Sequence, residues 1–290
     1  MIKDPENTDN RLFYQLLSSV ITPRPIALVS SCDITGQVNL APFSFFNMVS
    51  VNPPILVFSP LRRMRTNTTK DTYNNVKAVP EVVINVVNFE IVHQMSLASS
   101  PFPAEISEFN KAGFTPLESE TVKPKRVAES PVQFECKVTK VQELGNQGGA
   151  GNLIFCEVTR IHINELILDE HQMIDQHKID LVSRMGGNWY CRADEKSMFE
   201  ITKPISTIGI GFDQLPDDIR SSDILSGNDL GQLVGIEELP NETDVNEFKL
   251  LELSDLFVSL EDDAVQLEKE LHLKAKALLN KNKLEEAWLT

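Results

Sequence analysis

The stretch PIALVSSCDITGQVNLAPFSFFNMVSVNPPILVFSP, Pro25–Pro60, decides the fold. Pro25–Cys32 is a compact apolar run, and Asp33–Gln37 follows as a turn in which Gly36 is free to take a positive φ. Val38 then resumes an extended pattern, so the two runs predict a β-hairpin. Pro53–Pro60 is a further strand bounded by prolines. Outward from this stretch, Glu81–Asn88 (EVVINVVN) is rich in β-branched residues, Val132–Leu144 alternates apolar and polar positions, and Asn152–Asn164 does so less strictly. The glycine-rich Gly145–Gly151 joins the last two. About six strands with few intervening helices predict an antiparallel barrel and not a doubly wound parallel sheet. Short helices are predicted over Thr68–Val79, where threonines suit N-cap positions, and within FEIVHQMSLAS and AEISEFNKAG, the last ending at Gly113.

Charge divides the chain unevenly. Of a formal net charge of -15, residues 200–290 carry 20 acidic and 8 basic groups, and residues 1–199 carry 22 and 19. So acidic a surface repels nucleic acid. No apolar run approaches the roughly 18 residues of a membrane span, and the N-terminal MIKDPENTDNRLFYQLL has acidic groups where a secretory signal would be basic, which predicts a cytoplasmic protein with no membrane contact. Cys32, Cys136, Cys156 and Cys191 lack CxxC spacing, so neither a zinc site nor a disulfide framework is indicated. The character of the chain changes near residue 200. A first domain over 1–199 is followed by a segment over 200–243, punctuated by Asp, Gly and Pro, that reads as surface loop. Residues 244–290 read as an acidic amphipathic helical extension, with Leu267, Leu271, Ala275 and Leu278 at helical spacing.

Against this acidity, RRMRTNTTKDTYNN, Arg62–Asn75, concentrates four basic side chains and four threonines. A helix N-terminus exposes unpaired N–H groups and partial positive charge, so hydroxyls and cations around it suit a phosphate. Thr66, Thr68, Thr69 and Thr72 supply donors, and Arg62, Arg65 and Lys70 supply charge; a solvated basic loop is the alternative. Neither GxxxxGK[ST] nor GxGxxG occurs, which argues against a nucleoside triphosphate or a Rossmann-bound dinucleotide. Asn39, Ser44 and Asn47 sit among apolar residues in a strand that Pro42 is expected to interrupt. Backbone groups freed there can meet the polar edge of a planar ring, or the break is an ordinary edge bulge. With no GxSxG and no Cys/His pairing, a nucleophilic enzyme is disfavoured.

Taken in order, PRP, N-x-AP-x-S, SP, KDTYNN and VINVVN resemble the flavin reductase-like, FMN-binding split-barrel proteins, which include flavin reductases and flavoredoxins. The resemblance spans roughly residues 10–195. It implies a mainly β fold, a six-stranded antiparallel Greek-key split barrel with short helices, joined here to a C-terminal helical extension that it does not explain. It also implies a homodimer and noncovalent FMN near the dimer interface. On the matching positions, Asn39, Ala41, Pro42 and Ser44 would contact the isoalloxazine and ribityl groups, and Ser59, Lys70 and Thr72 the phosphate, with Asp71 in the same turn. Phe45 and Phe46 are candidate walls for the ring, one of them ordinary core. Arg184 and Tyr190, in RMGGNWY, match a late motif close to the flavin, and His162 matches a frequent family position, although a lone strand histidine is more often structural. The implied activity is an NAD(P)H:flavin reductase, in which no side chain need act as acid or base. Electrons would pass to a second flavin, a partner oxygenase or another acceptor. Two other readings stay open: a flavoredoxin-like electron carrier, and a nonredox module whose tail recruits a partner.

Overall fold

Arg24–Pro25 forms β1, and the hairpin predicted around Gly36 follows as β2 (Ala27–Cys32) and β3 (Val38–Phe43), paired antiparallel. In its turn, Asp33 Oδ1 accepts from the Thr35 and Gln37 backbone N–H groups, and Gly36 takes φ +87°. These coordinates are a computed structural model that describes residues 1–201, 203 and 208–290. The strand was expected to break at Pro42, and it does not: Pro42 lies inside β3 opposite Leu28. β3 is an edge strand, where half of the backbone N–H groups need no ladder partner, so proline is tolerated. The chain instead turns at Ser44 and Phe45 into β4 (Phe46–Ser50), which makes seven strands in the sheet where six were expected.

The remaining strands are β5 (Ile55–Phe58), β6 (Glu81–Val86), the two-residue pair β7 (Pro116–Leu117) and β8 (Arg126–Val127), β9 (Val132–Glu143), β10 (Asn152–Ile163), β11 (Val182–Arg184) and β12 (Tyr190–Arg192). The main sheet runs β3-β2-β6-β9-β10-β5-β4, antiparallel throughout, and β1-β11-β12 form a small second sheet. Its connectivity forces the main sheet to curl. Seven flat strands would set β3 and β4 about 29 Å apart at ~4.8 Å per strand, yet three chain steps, Phe43 to Phe46, reach only about 11 Å. The edges therefore meet at Ser44–Phe45, closing one end of a half-barrel.

β2 is buried along its whole length because both its faces are covered. Ala27 and Val29 face the barrel interior with Phe58, Val82, Ile84 and Ile154. Leu28 alternates to the other face, where it packs with Ile91, Met95 and Phe109. That outer layer draws on the third and fourth of this unit's four α-helices, while Val76 of the second packs with the interior cluster. α1 (Asn10–Val20), capped by Asp9 and not foreseen from the sequence, is followed by α2 (Asp71–Ala78), α3 (Val92–Leu97) and α4 (Glu108–Ala112), the last ending in a left-handed Gly113 as expected.

Contacts divide the chain into two units, Met1–Phe199 and Glu200–Thr290. The second contains α5 (Asp217–Arg220), α6 (Gly227–Leu233), α7 (Glu242–Phe248), a π-helical turn Lys249–Leu253, α8 (Ser254–Ser259), α9 (Ala264–Leu279) and α10 (Leu284–Trp288). The segment 200–243, read as surface loop, needs correction; its residues 202 and 204–207 lie outside the described residues. Leu215, Leu225, Leu230 and Leu233 from this segment are buried against Ala275, Leu279 and Ala287. The polar punctuation that suggested a loop is cap chemistry: Ser226 and Asp229 form a reciprocal capping box that starts α6. Among the described residues, no helix is long and apolar enough to cross a membrane.

Candidate functional site

Around the expected phosphate cradle, the local backbone differs from the sequence reading. α2 starts at Asp71, later than predicted, because Asn67 takes φ +53° and the Arg63 N–H bonds to the Thr68 carbonyl, so residues 63–68 are spent in a tight loop. The threonines are not N-caps: the Thr69 hydroxyl donates to Asn74 and that of Thr68 pairs with Thr66. Arg62, expected at the anion, instead clamps the loop by donating to the Asn67 side chain (2.8 Å) and carbonyl (2.6 Å).

Past this loop, α2 meets β3 across a polar cavity of about 90 Å³. Asn39, Ala41 and Pro42 line one side, Arg63, Lys70, Asp71 and Thr72 another, and Ala98–Phe102 with Glu108 close it. The Thr72 hydroxyl lies 3.5 Å from Asn39 Oδ1. Arg63 is tied to Asp71 at 3.4 Å, while among the described residues no carboxylate lies within ion-pair distance of Lys70. Burial, reinforced by the neighbouring Arg63, pulls the Lys70 ammonium below its ordinary pKa, with Asp71 partly offsetting this. Glu108 accepts the Leu40 N–H at 3.0 Å, and burial pushes its carboxyl up, toward the neutral form. The donor set is two cations, the Thr72 hydroxyl and the first-turn N–H groups of an eight-residue helix, opposed by two carboxyls, Asp71 already paired with Arg63 and Glu108 pushed toward its neutral form. It fits a phosphate.

The other predicted residues fall elsewhere. Phe45 lines a larger apolar cavity of about 440 Å³ with Phe13, Tyr14 and Leu17 of α1, Leu61 and Met64. Tyr14 stands edge-on to Phe45 at 6.5 Å between centroids, whereas Phe46 packs on the barrel core. Ser44 accepts from Arg24 Nε at 3.4 Å. Ser59, at the end of β5, is buried, bonds the Phe45 carbonyl through its N–H (2.9 Å), and does not line the polar cavity. A Cβ on Gly151 would sit 2.9 Å from Ser59 Oγ, so a side chain there would have to displace the Ser59 hydroxyl. Arg184 and Tyr190 stack on each other at 4.6 Å on the small sheet, with Arg184 opposite Arg24.

His162 joins neither cavity: its Nε2 lies 2.7 Å from Oε1 of the fully buried Glu135. Glu135 also accepts from the Glu120 N–H (2.9 Å), the Thr121 N–H (2.6 Å) and the Thr121 hydroxyl (2.6 Å). Burial pushes this carboxyl up, but the Thr121 bonds and His162 outweigh that, leaving it below the usual glutamate range. Sequence reasoning missed Glu108 in the polar cavity and named Arg63 only within the basic cluster, not in the cradle. Arg63 carried a signal, in its place within the basic cluster; Glu108 carried none. Burial pushes the Cys136 thiol up to about 12, so it supplies no thiolate nucleophile.

Residues 18–178 match the flavin reductase like domain, and the chain belongs to that family, a family of flavin-related oxidoreductases. Its curled half-barrel is the family's split-barrel fold. The chain is similar to an uncharacterized protein of Aquifex aeolicus, 39% identical over 188 residues that make up 65% of this chain and 93% of that one. Two solved structures are similar as well. Nitrilotriacetate monooxygenase component B from Bacillus cereus is 30% identical with TM-score 0.65, covering 69% of this chain and 98% of its own. The 2-nitrobenzoate 2-nitroreductase NbaA of Pseudomonas fluorescens is 28% identical with TM-score 0.64, covering 73% and 100%. The family match ends before the helical unit Glu200–Thr290.

Proposed function

We propose that the unit Met1–Phe199 binds FMN noncovalently and that the chain is an NAD(P)H-dependent oxidoreductase of the flavin reductase type. The observation that carries this is Lys70: a half-buried cation with no carboxylate partner among the described residues, beside Arg63 and Thr72 at the start of α2, within a flavin reductase-like fold. Lys70, Thr72 and Arg63 would hold the phosphate. Asn39, Ala41 and Pro42 would meet the ribityl and ring groups, and Phe45 would offer an apolar wall. A bound flavin supplies the redox chemistry, accepting electrons from the reduced nicotinamide and passing them onward. The protein's part is to orient and to set the local field. Similarity to a monooxygenase component and to a nitroreductase supports a small-molecule acceptor or a partner oxygenase as the destination of the electrons.

Anaerobic addition of NADH, then NADPH, to protein loaded with FMN is expected to bleach the flavin absorbance within seconds. A chain that binds FMN but is reduced by neither would instead be an electron carrier served by a protein donor. One that takes up no FMN would be a nonredox module.

Affinity for FMN should depend on pH in a definite direction. An anion bound at Lys70 raises that ammonium's pKa, so binding is strongest where Lys70 is protonated. Above about pH 7 the phosphate is dianionic, and affinity declines as pH rises through the depressed Lys70 pKa. Calorimetric titrations from pH 7 to 10 check this; Lys70→Ala should flatten the slope.

We also propose a homodimer in the cytoplasm. The edge strand β4 and the residue after it expose Met48 (62%), Val49 (53%) and Val51 (78%), an apolar edge that a second copy would cover. Sedimentation velocity is expected to show twice the chain mass, and Val49→Lys to return the monomer; a wild-type monomer would contradict this.

A further inference from the structure

We infer that Arg24 and Ser44 form a relay that stabilises the negative charge a bound flavin gains on reduction, an inference that rests on the flavin-binding reading above. Arg24 is only 7% exposed. Its Nη1 donates to the carbonyls of Ser18 (2.6 Å) and Ile21 (2.7 Å), its Nη2 to that of Met185 (3.0 Å), and its Nε to Ser44 Oγ (3.4 Å). The guanidinium also faces the Phe45 ring at 5.8 Å. Among the described residues no carboxylate pairs with it, so the carbonyls at the end of α1 are its main compensation. A buried cation without a counter-ion is costly and attracts any negative charge that develops nearby. Arg184, opposite Arg24 across the β1–β11 pair, adds to the same positive field.

Ser44 carries that field to a ligand. Its oxygen receives the Arg24 N–H, so its own hydrogen is directed elsewhere, and among the described residues no protein group accepts it. Donation by a guanidinium polarises the hydroxyl into a stronger donor. Ser44 is two residues from Pro42, which lines the polar cavity, and adjacent to Phe45, which lines the apolar one. When a reduced nicotinamide gives up two electrons and one proton, becoming the oxidised nicotinamide, the ring system that receives them gains one net negative charge. A donor at Ser44 holds the reduced state more tightly than the oxidised one. Arg24 is a positioning residue here; Ser44 would make the contact.

The test is the ratio of two dissociation constants, measured anaerobically for oxidised FMN and for dithionite-reduced FMN. In Ser44→Ala, the preference for reduced over oxidised FMN is expected to fall about tenfold, equivalent to a drop of about 30 mV in the two-electron potential. Ser44→Thr, which keeps the hydroxyl, should restore the wild-type ratio. A purely structural role weakens both states equally, so an unchanged ratio in Ser44→Ala overturns the relay. Ser44→Ala leaves the Arg24 bonds to α1 intact and is the decisive variant even if Arg24→Gln does not fold. If the wild type binds FMN in neither state, the flavin reading and the relay fall together. If it binds FMN with the same ratio as Ser44→Ala, the relay alone falls.

Discussion

Glu135→Ala is expected to lower the unfolding free energy of the first unit by about 3–5 kcal/mol, the range for removing one partner of a buried charged network. Each carboxylate oxygen is filled: Oε1 by the Glu120 N–H and His162, Oε2 by the Thr121 N–H and hydroxyl. Alanine would strand these donors beneath the 118–126 segment, next to Arg126 at 3.9 Å. Urea denaturation followed by circular dichroism checks this, and a loss under about 1 kcal/mol would contradict it. The effect also has a pH signature. The folded carboxyl titrates below its unfolded value, so its stabilisation is complete above the ordinary glutamate pKa of about 4.3. It is lost as pH falls through the folded pKa. The wild type should therefore lose stability on acidification more steeply than Glu135→Ala.

Lys70→Ala is expected to weaken FMN binding by about 1.5–3 kcal/mol, some 10- to 150-fold, the range for a hydrogen bond to a charged group. Riboflavin, which lacks the phosphate, should bind wild type and variant alike. Equal loss for both ligands would mean that the substitution disturbs the ring site or the fold; no loss for either would remove the phosphate from this corner. The Lys70 ammonium has no hydrogen bond or ion pair among the described residues, so truncating the side chain strands no protein partner, and the difference reports on the ligand.

The β-hairpin was legible because its signals are local: a Gly36 that needs positive φ, and a run whose alternating residues are apolar on both faces because both are buried. Pro42 misled because proline's effect depends on whether a strand is central or at an edge, which no local pattern states. The same limit governed the site. That Lys70, Thr72 and Asn39 converge was legible from charge, hydroxyl content and family resemblance. Which arginine faces the cavity was not, since the Asn67 turn sends Arg62 into the loop and Arg63 toward Asp71. Glu108 reaches the cavity by accepting an N–H from a residue 68 positions earlier, a contact that only the folded sheet creates. His162 shows the converse: its position suggested a ligand, but a buried carboxylate three-dimensionally adjacent to it takes its imidazole. Near Ser226, punctuation that reads as loop is a capping box that starts a helix with a buried face.

The most direct test of the central claim is a crystal structure of the full chain soaked with FMN. The phosphate is expected within hydrogen-bonding reach of Lys70 Nζ and Thr72 Oγ1, with the ring running past Asn39 toward Ser44. Phosphate density at any other place, with the start of α2 free of ligand, would contradict it.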